Sequence, residues 1–251
     1  MKQQSNFLAY IFLFLTVTFW AGNFVVGKFA SLYEVPPFSL NFYRWFFAWL
    51  ILAPFTIPEI IKKKDYIINN YKLFIVLGVT SITIFNSIVY YSLNFTQVIS
   101  GVLMISTIPV MIMFFSSIFK IEKTNIFQII GVILSFLGVI IIITKANFEI
   151  LKNLNFNKGD ITMVIAMFSW ALYSTLLKRQ TYEISQLSLL QVVMSFGLVF
   201  LIPIYFIEYQ LGFRITLDKP FYLILSYVVL LPGLASFILR IKGISMIGAN
   251  R

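Results

Sequence analysis

The stretch Trp20-Ala21-Gly22-Asn23-Phe24-Val25-Val26-Gly27-Lys28 lies inside a long apolar run, and its spelling returns inside another as Trp170-Ala171-Leu172-Tyr173-Ser174-Thr175-Leu176-Leu177-Lys178. Tryptophan and lysine recur at the same spacing, 150 residues in each case (170 − 20 and 178 − 28). A membrane chain made of two copies of one unit points to a small set of machines, most of them transporters whose site lies between the copies.

Working outward from those two runs, the composition places the chain in a bilayer. Of its 251 residues 60% are apolar and 11% charged, and the mean hydropathy is +0.92. Those values do not suit a water-facing surface. The longest polar segment between apolar runs is Lys145 to Lys158, too short for a soluble domain. The chain has no cysteine and no histidine, which excludes disulfides, thiolate nucleophiles, imidazole bases and the usual transition-metal sites. No cofactor is implied. The net charge of +10 is dispersed over short connections rather than gathered on one face, so it argues for membrane topology and against a nucleic-acid partner.

A spanning helix needs about 20 apolar residues. Runs of that length fall at Leu8 to Phe29, Phe38 to Ile57, Leu73 to Leu93, Ser100 to Phe119, Ile126 to Ile143, Ile161 to Leu177, Leu187 to Ile207 and Phe221 to Leu239. The first is too long for a signal-peptide core and is read as the first span. Pro36-Pro37, Pro58 and Pro220 fall at run edges, and Asn69-Asn70 marks a loop. With the N-terminus in the cytoplasm, the inner connections collect Lys2, Lys62, Lys63, Lys64, Lys72, Lys120, Lys123, Lys178, Arg179, Arg240 and Lys242, and the outer ones Lys145, Lys152, Lys158, Arg214 and Lys219. Eleven against five obeys the positive-inside rule. Five spans per copy then force the second copy to enter from the other side. The repeat is inverted, with Trp20 and Trp170 at similar depth near the bilayer middle.

Four stretches of the first copy resemble the EamA type of the drug/metabolite transporter superfamily. They are Trp20-Ala21-Gly22-Asn23-Phe24 through Lys28, then Phe42-Tyr43-Arg44-Trp45, then Pro109, and last Ile121-Glu122-Lys123 leading to Gln128-Ile129-Ile130-Gly131-Val132 and Gly138-Val139. In the second copy the likeness covers Trp170-Ala171 to Lys178 and, faintly, Gly243 to Arg251. The resemblance implies ten helices in two units of five. The expected fold is thus an all-α integral membrane protein, an inverted repeat of five-helix units with about eight of ten transmembrane helices present. Residues 1–145 form the first unit, 146–159 an outer connecting loop, and 160–251 a second unit truncated after its third helix.

The nine carboxylates, Glu34, Glu59, Asp65, Glu122, Glu149, Asp160, Glu183, Glu208 and Asp218, all read as lying in connections or at helix ends. A buried carboxylate relay is therefore not visible, and neither is a catalytic constellation, since serine has no histidine base. The chain is not read as an enzyme. Candidate substrate-binding residues are Trp20, Asn23, Arg44, Asn86, Tyr90, Trp170 and Tyr173. Trp20, Asn23 and Gly27 share one helix face at steps of three and four, and Trp170, Tyr173 and Ser174 take the matching face of the second copy. Asn23 and Asn86 must meet partners or water, because an unpaired amide in hydrocarbon is costly; they line a cavity or bond across helices.

Arg44 follows Pro37 by seven residues, which places it about 10 Å below the outer edge at 1.5 Å per residue. It snorkels outward or pairs structurally, or it faces the bundle and attracts an anionic group. Lys28 reads as a solvated helix-end lysine and Glu122 as an anion at a helix N-terminus. Gly131 and Gly138 read as a close-packing face, and Pro109 as a bend.

The leading function is export of small organic metabolites, amino-acid-like or amphipathic solutes, across the cytoplasmic membrane by alternating access, the direction coming from the resemblance. The alternative is a truncated, non-transporting membrane protein or an assembly partner. The partners implied are a small-molecule substrate and the lipid bilayer, with association of identical copies left open.

Overall fold

A computed structural model of the chain describes residues 2–121, 125–144, 149 and 157–247. Every regular element among them is helical. The first two helices are α1 (Lys2–Leu32) and α2 (Pro37–Lys62), joined by a turn in which Glu34 takes a left-handed φ of 54° and ends α1. Pro37 opens α2, where a proline forfeits no needed donor. Pro58, expected at an edge, lies inside α2 together with Pro54, because the helix runs on to Lys62. A short α3 (Lys64–Asn69) leads into α4 (Tyr71–Ser92).

The fourth apolar run is broken rather than bent, into α5 (Val98–Ile105) and α6 (Ile108–Ile118), with Pro109 in the first turn of α6. Helix α7 (Ile126–Thr144) matches the fifth run. The later helices are α8 (Lys158–Lys178), α9 (Gln186–Gln210) and α10 (Lys219–Ile247). Each has a side-chain cap: Asn157 and Asp160 form a capping box, Ser185 accepts from the Ser188 amide, and Asp218 accepts from the Phe221 amide. Arg240 and Lys242, expected in an inner connection, lie within α10, which continues eight residues beyond the last apolar residue of the run (247 − 239). Glu122, Lys123, Lys145 and Lys152 fall outside the described residues.

Among the described residues six helices are long and apolar enough to cross a membrane: α1 from Phe7, α2, α4, α8, α9 and α10. The surface supports that reading, since Phe55 is 78% exposed and Phe127 76%, which would be expensive in water but suits acyl chains. Inside, α2 lies along α9, α1 packs on the last stretch of α10, and α8 packs on the last stretch of α4 and on α6. Helix α7 packs on α5 and α6.

Two helices carry a π turn, Val79–Phe85 in α4 and Val229–Ala235 in α10, and these are 150 residues apart (229 − 79). A π turn shifts backbone hydrogen bonds and strands carbonyls that hydrocarbon cannot satisfy. In α4 the stranded oxygens are met by side chains. Thr80 O accepts from Ser169 Oγ of α8, Ser81 O from Asn86 Nδ2, and Ile82 O from Asn41 Nδ2 of α2. In α10 the turn contains Pro232, which has no N–H to give, and its carbonyl accepts from Ser236 Oγ.

Close backbone approach fixes α9 against α4. A Cβ on Gly78 would stand 2.6 Å from the Gly197 nitrogen, and one on Gly197 would stand 2.4 Å from Ile82 Cβ. Gly131 and Gly138, read from the sequence as a packing face, would have nothing within 4 Å of an added Cβ. Among the described residues no helix packs against these two glycines.

Candidate functional site

The polar residues of α1, α2 and α4 converge on Arg44. Its guanidinium does not reach the surface and, among the described residues, pairs with no carboxylate; the residue is 3% exposed. One nitrogen, Nη1, donates to Asn86 Oδ1 at 2.7 Å, to the Tyr90 hydroxyl at 2.8 Å and, more weakly, to Asn23 Oδ1 at 3.3 Å. The Tyr90 hydroxyl in turn donates to Asn23 Oδ1 at 2.8 Å. The guanidinium carbon lies 4.7 Å from the centre of the Trp45 ring, a cation–π distance. Snorkelling is thus overturned: four neutral groups hold the arginine inside the bundle, and pairing across helices wins over extension to water.

Each helix brings its partner by register. Asn23 and Gly27 are one turn apart on α1, and Gly27 lets the Tyr90 ring come so close that an added Cβ would stand 3.0 Å from it. Asn86 and Tyr90 are one turn apart on α4, just past the π turn whose Ser81 carbonyl fixes the Asn86 amide. Asn41, one turn before Arg44 on α2, donates to Ile82 O and to Ser87 Oγ. Three buried polar atoms of this α2 segment, Asn41 Oδ1, Arg44 Nε and Trp45 Nε1, have no partner. Unsatisfied polar atoms at such density are unusual in a native interior.

The remaining sequence candidates stand apart from this cluster as aromatic walls. Trp20 meets Phe237 edge-on at 5.8 Å, and Phe237 also meets Trp45 at 6.3 Å. Trp170 lies 4.6 Å from Phe85 and 5.1 Å from Tyr173. Trp170 and Tyr173 therefore form a second group, on α8 against the π turn of α4. Lys28 is not a solvated lysine. Its Nζ donates to Leu93 O at 2.7 Å and Thr96 O at 2.9 Å, closing the C-terminal end of α4.

Two carboxylates, placed at helix ends by the sequence, have partners there that the sequence did not reveal. Glu208 lies inside α9 and is only 6% exposed; Oε2 accepts from the Ser39 amide and from Ser39 Oγ, both at 2.6 Å, and Oε1 from the Phe38 amide at 3.2 Å. Glu59 of α2 accepts from the Ser185 amide at 2.8 Å and from Ser185 Oγ and Ser188 Oγ at 2.6 Å each. The spacing Glu59 to Glu208, one residue short of the repeat, was the available signal. Beside Glu208 is a cavity of about 870 Å³ lined by Glu34, Phe38, Tyr91, Asn94, Phe213 and Arg214 among others.

The described helices and the repeated helix irregularities fit a multi-pass membrane protein built from two related halves. The chain belongs to the EamA-like transporter family, whose pattern it matches over residues 7–144 and again over 157–251. It is similar to an uncharacterized transporter of Archaeoglobus fulgidus, 26% identical over 79% of this chain and 67% of that one. It is similar also to the uncharacterized transporter YyaM of Bacillus subtilis, 27% identical over 76% of this chain and 61% of the relative. The chain thus spans about two thirds of the length of these relatives. No solved structure matches it significantly.

Proposed function

We propose that this protein carries small organic metabolites bearing a carboxylate, amino-acid-like or amphipathic in character, outward across the cytoplasmic membrane by alternating access. The observation that carries this reading is Arg44: a buried guanidinium in a spanning helix, held by Asn23, Asn86 and Tyr90 and, among the described residues, facing no acidic residue within ion-pair distance. A cation kept inside a bilayer without a counter-charge is expensive, and an anionic ligand offsets that cost. Neutral partners hold the side chain ready without neutralising it.

On this reading residues 1–145 and 160–251 act as the two halves, 146–159 link them, and the N-terminus is cytoplasmic. Trp20, Trp170 and Tyr173 supply apolar walls, and Asn23, Arg44, Asn86 and Tyr90 supply recognition. The family's character supports a carrier rather than a catalyst.

The test is comparative metabolite profiling of medium and cytosol from cells expressing the chain or its Arg44→Met variant at matched membrane levels. Losing one charged hydrogen-bonding group costs about 1.5–3 kcal/mol, so accumulation of one carboxylate solute outside should fall about ten- to a hundredfold in the variant. Equal profiles from native chain and empty cells, with the protein inserted, would instead favour the assembly-partner reading. An unchanged profile between native and Arg44→Met would sink the carboxylate specificity.

A further inference from the structure

Glu59 and Glu208 form a reciprocal pair. Helix α2 carries Glu59 near its last turn, and that carboxylate caps the start of α9 through Ser185 and Ser188. Helix α9 carries Glu208 near its last turn, and that carboxylate caps the start of α2 through Phe38 and Ser39. The two helices run antiparallel, so the clasps lie at opposite ends of the bundle. Each carboxylate receives three hydrogen bonds, two of them from hydroxyl or amide groups at 2.6 Å, in the place where a helix N-terminus most favours an anion.

Between the clasps, Trp49 Nε1 of α2 donates to Ser195 Oγ of α9 and Gln191 Nε2 donates back to Trp49 O. The pair is therefore tied at both ends and in the middle. An interface that alternates between two states parts at one end while it closes at the other. Here both ends are closed together. A cavity of about 870 Å³ lies against the Glu208 clasp, where α2 and α9 remain bonded to each other.

We infer that Glu59 and Glu208 are positioning residues that lock α2 and α9 into a fixed spine, so that the transport movement takes place between the other helices and never across this interface. The inference rests on the carrier reading for its functional meaning.

The native absence of cysteine makes the test clean. In one protein Ser39 and Glu208 are both replaced by cysteine, in a second Glu59 and Ser188, each examined in proteoliposomes before and after a short thiol-to-thiol cross-linker. Before cross-linking the clasp is missing, and transport should drop about tenfold, the scale of one charge-assisted hydrogen bond. Cross-linking should restore it to within about twofold of the parent, because a covalent tie replaces the clasp. Loss of the residual transport on cross-linking, reversed by cleaving the linker, would overturn the spine and make the interface a gate.

A second measurement separates this from failure of the carrier reading. Spin-label distances across each pair in lipid nanodiscs should give one narrow population, unchanged by candidate solutes. Two populations that exchange between the ends would overturn the spine even in a protein whose transport is intact. A parent that moves no solute would defeat the carrier reading, and the distances would still judge the spine.

Discussion

At the residue scale the protein concentrates its polarity at very few points, and each is tied to a neighbour. Tyr90 stands between Arg44 and Asn23, receiving from one and donating to the other. Tyr90→Phe removes both bonds and leaves Asn23 with a single long contact to Arg44. The expected destabilisation is about 1–3 kcal/mol, the cost of an unsatisfied buried partner, read as a lower unfolding temperature in detergent. Lys28→Met should cost about 1 kcal/mol by freeing the carbonyls of Leu93 and Thr96, and Lys28→Arg should recover part of it. Much of this site was legible in the chain. Asn23, Arg44, Asn86 and Tyr90 are conspicuous because a polar group in an apolar run must find a partner. What could not be read was their grouping, which depends on three helices meeting, or the burial of Glu208. A carboxylate immediately after the end of an apolar run looks interfacial until the helix that caps on it is known.

At the element scale the contrast lies between glycines. Gly78 and Gly197 let α4 and α9 touch backbone to backbone, and Thr83 Oγ1 adds a 2.8 Å bond to Gly197 O. Gly197→Val should destabilise by about 1–3 kcal/mol, since the new atoms meet Ile82 and the Gly78 carbonyl with no room to move aside. Gly131→Ala and Gly138→Ala on α7 should change the unfolding temperature little, within about 0.5 kcal/mol. All four glycines sit in similar apolar surroundings in the sequence. Spacing alone told α7 apart as a packing face and passed over the pair that packs, because close approach depends on which helix arrives from elsewhere in the chain. Helical type and the place of most spans were far easier, being set by bilayer thickness and run length, although the fourth run is broken into α5 and α6.

At the scale of the whole molecule, the proposed topology, which follows the positive-inside rule, has Lys62, Lys63 and Lys64 in the cytoplasm and the turn at Glu34 outside. Single cysteines at Glu34 and at Lys64 should therefore be labelled by an impermeant maleimide from opposite sides of intact cells, and labelling of both from one side would contradict the topology. The equal spacing of the two π turns adds a constraint of another kind. Each residue of a helix turns the chain by about 100°, so the additional residue in a π turn rephases everything beyond it. Asn86 and Tyr90 lie beyond the first turn and Arg240 beyond the second. A one-codon deletion inside Val79–Phe85 would relax the helix to an ordinary winding, yet swing Asn86 and Tyr90 away from Arg44. The turns behave as frozen insertions: loss of either would have to be matched by respelling the rest of its helix, and that makes the least regular few residues of α4 and α10 the hardest ones to shorten.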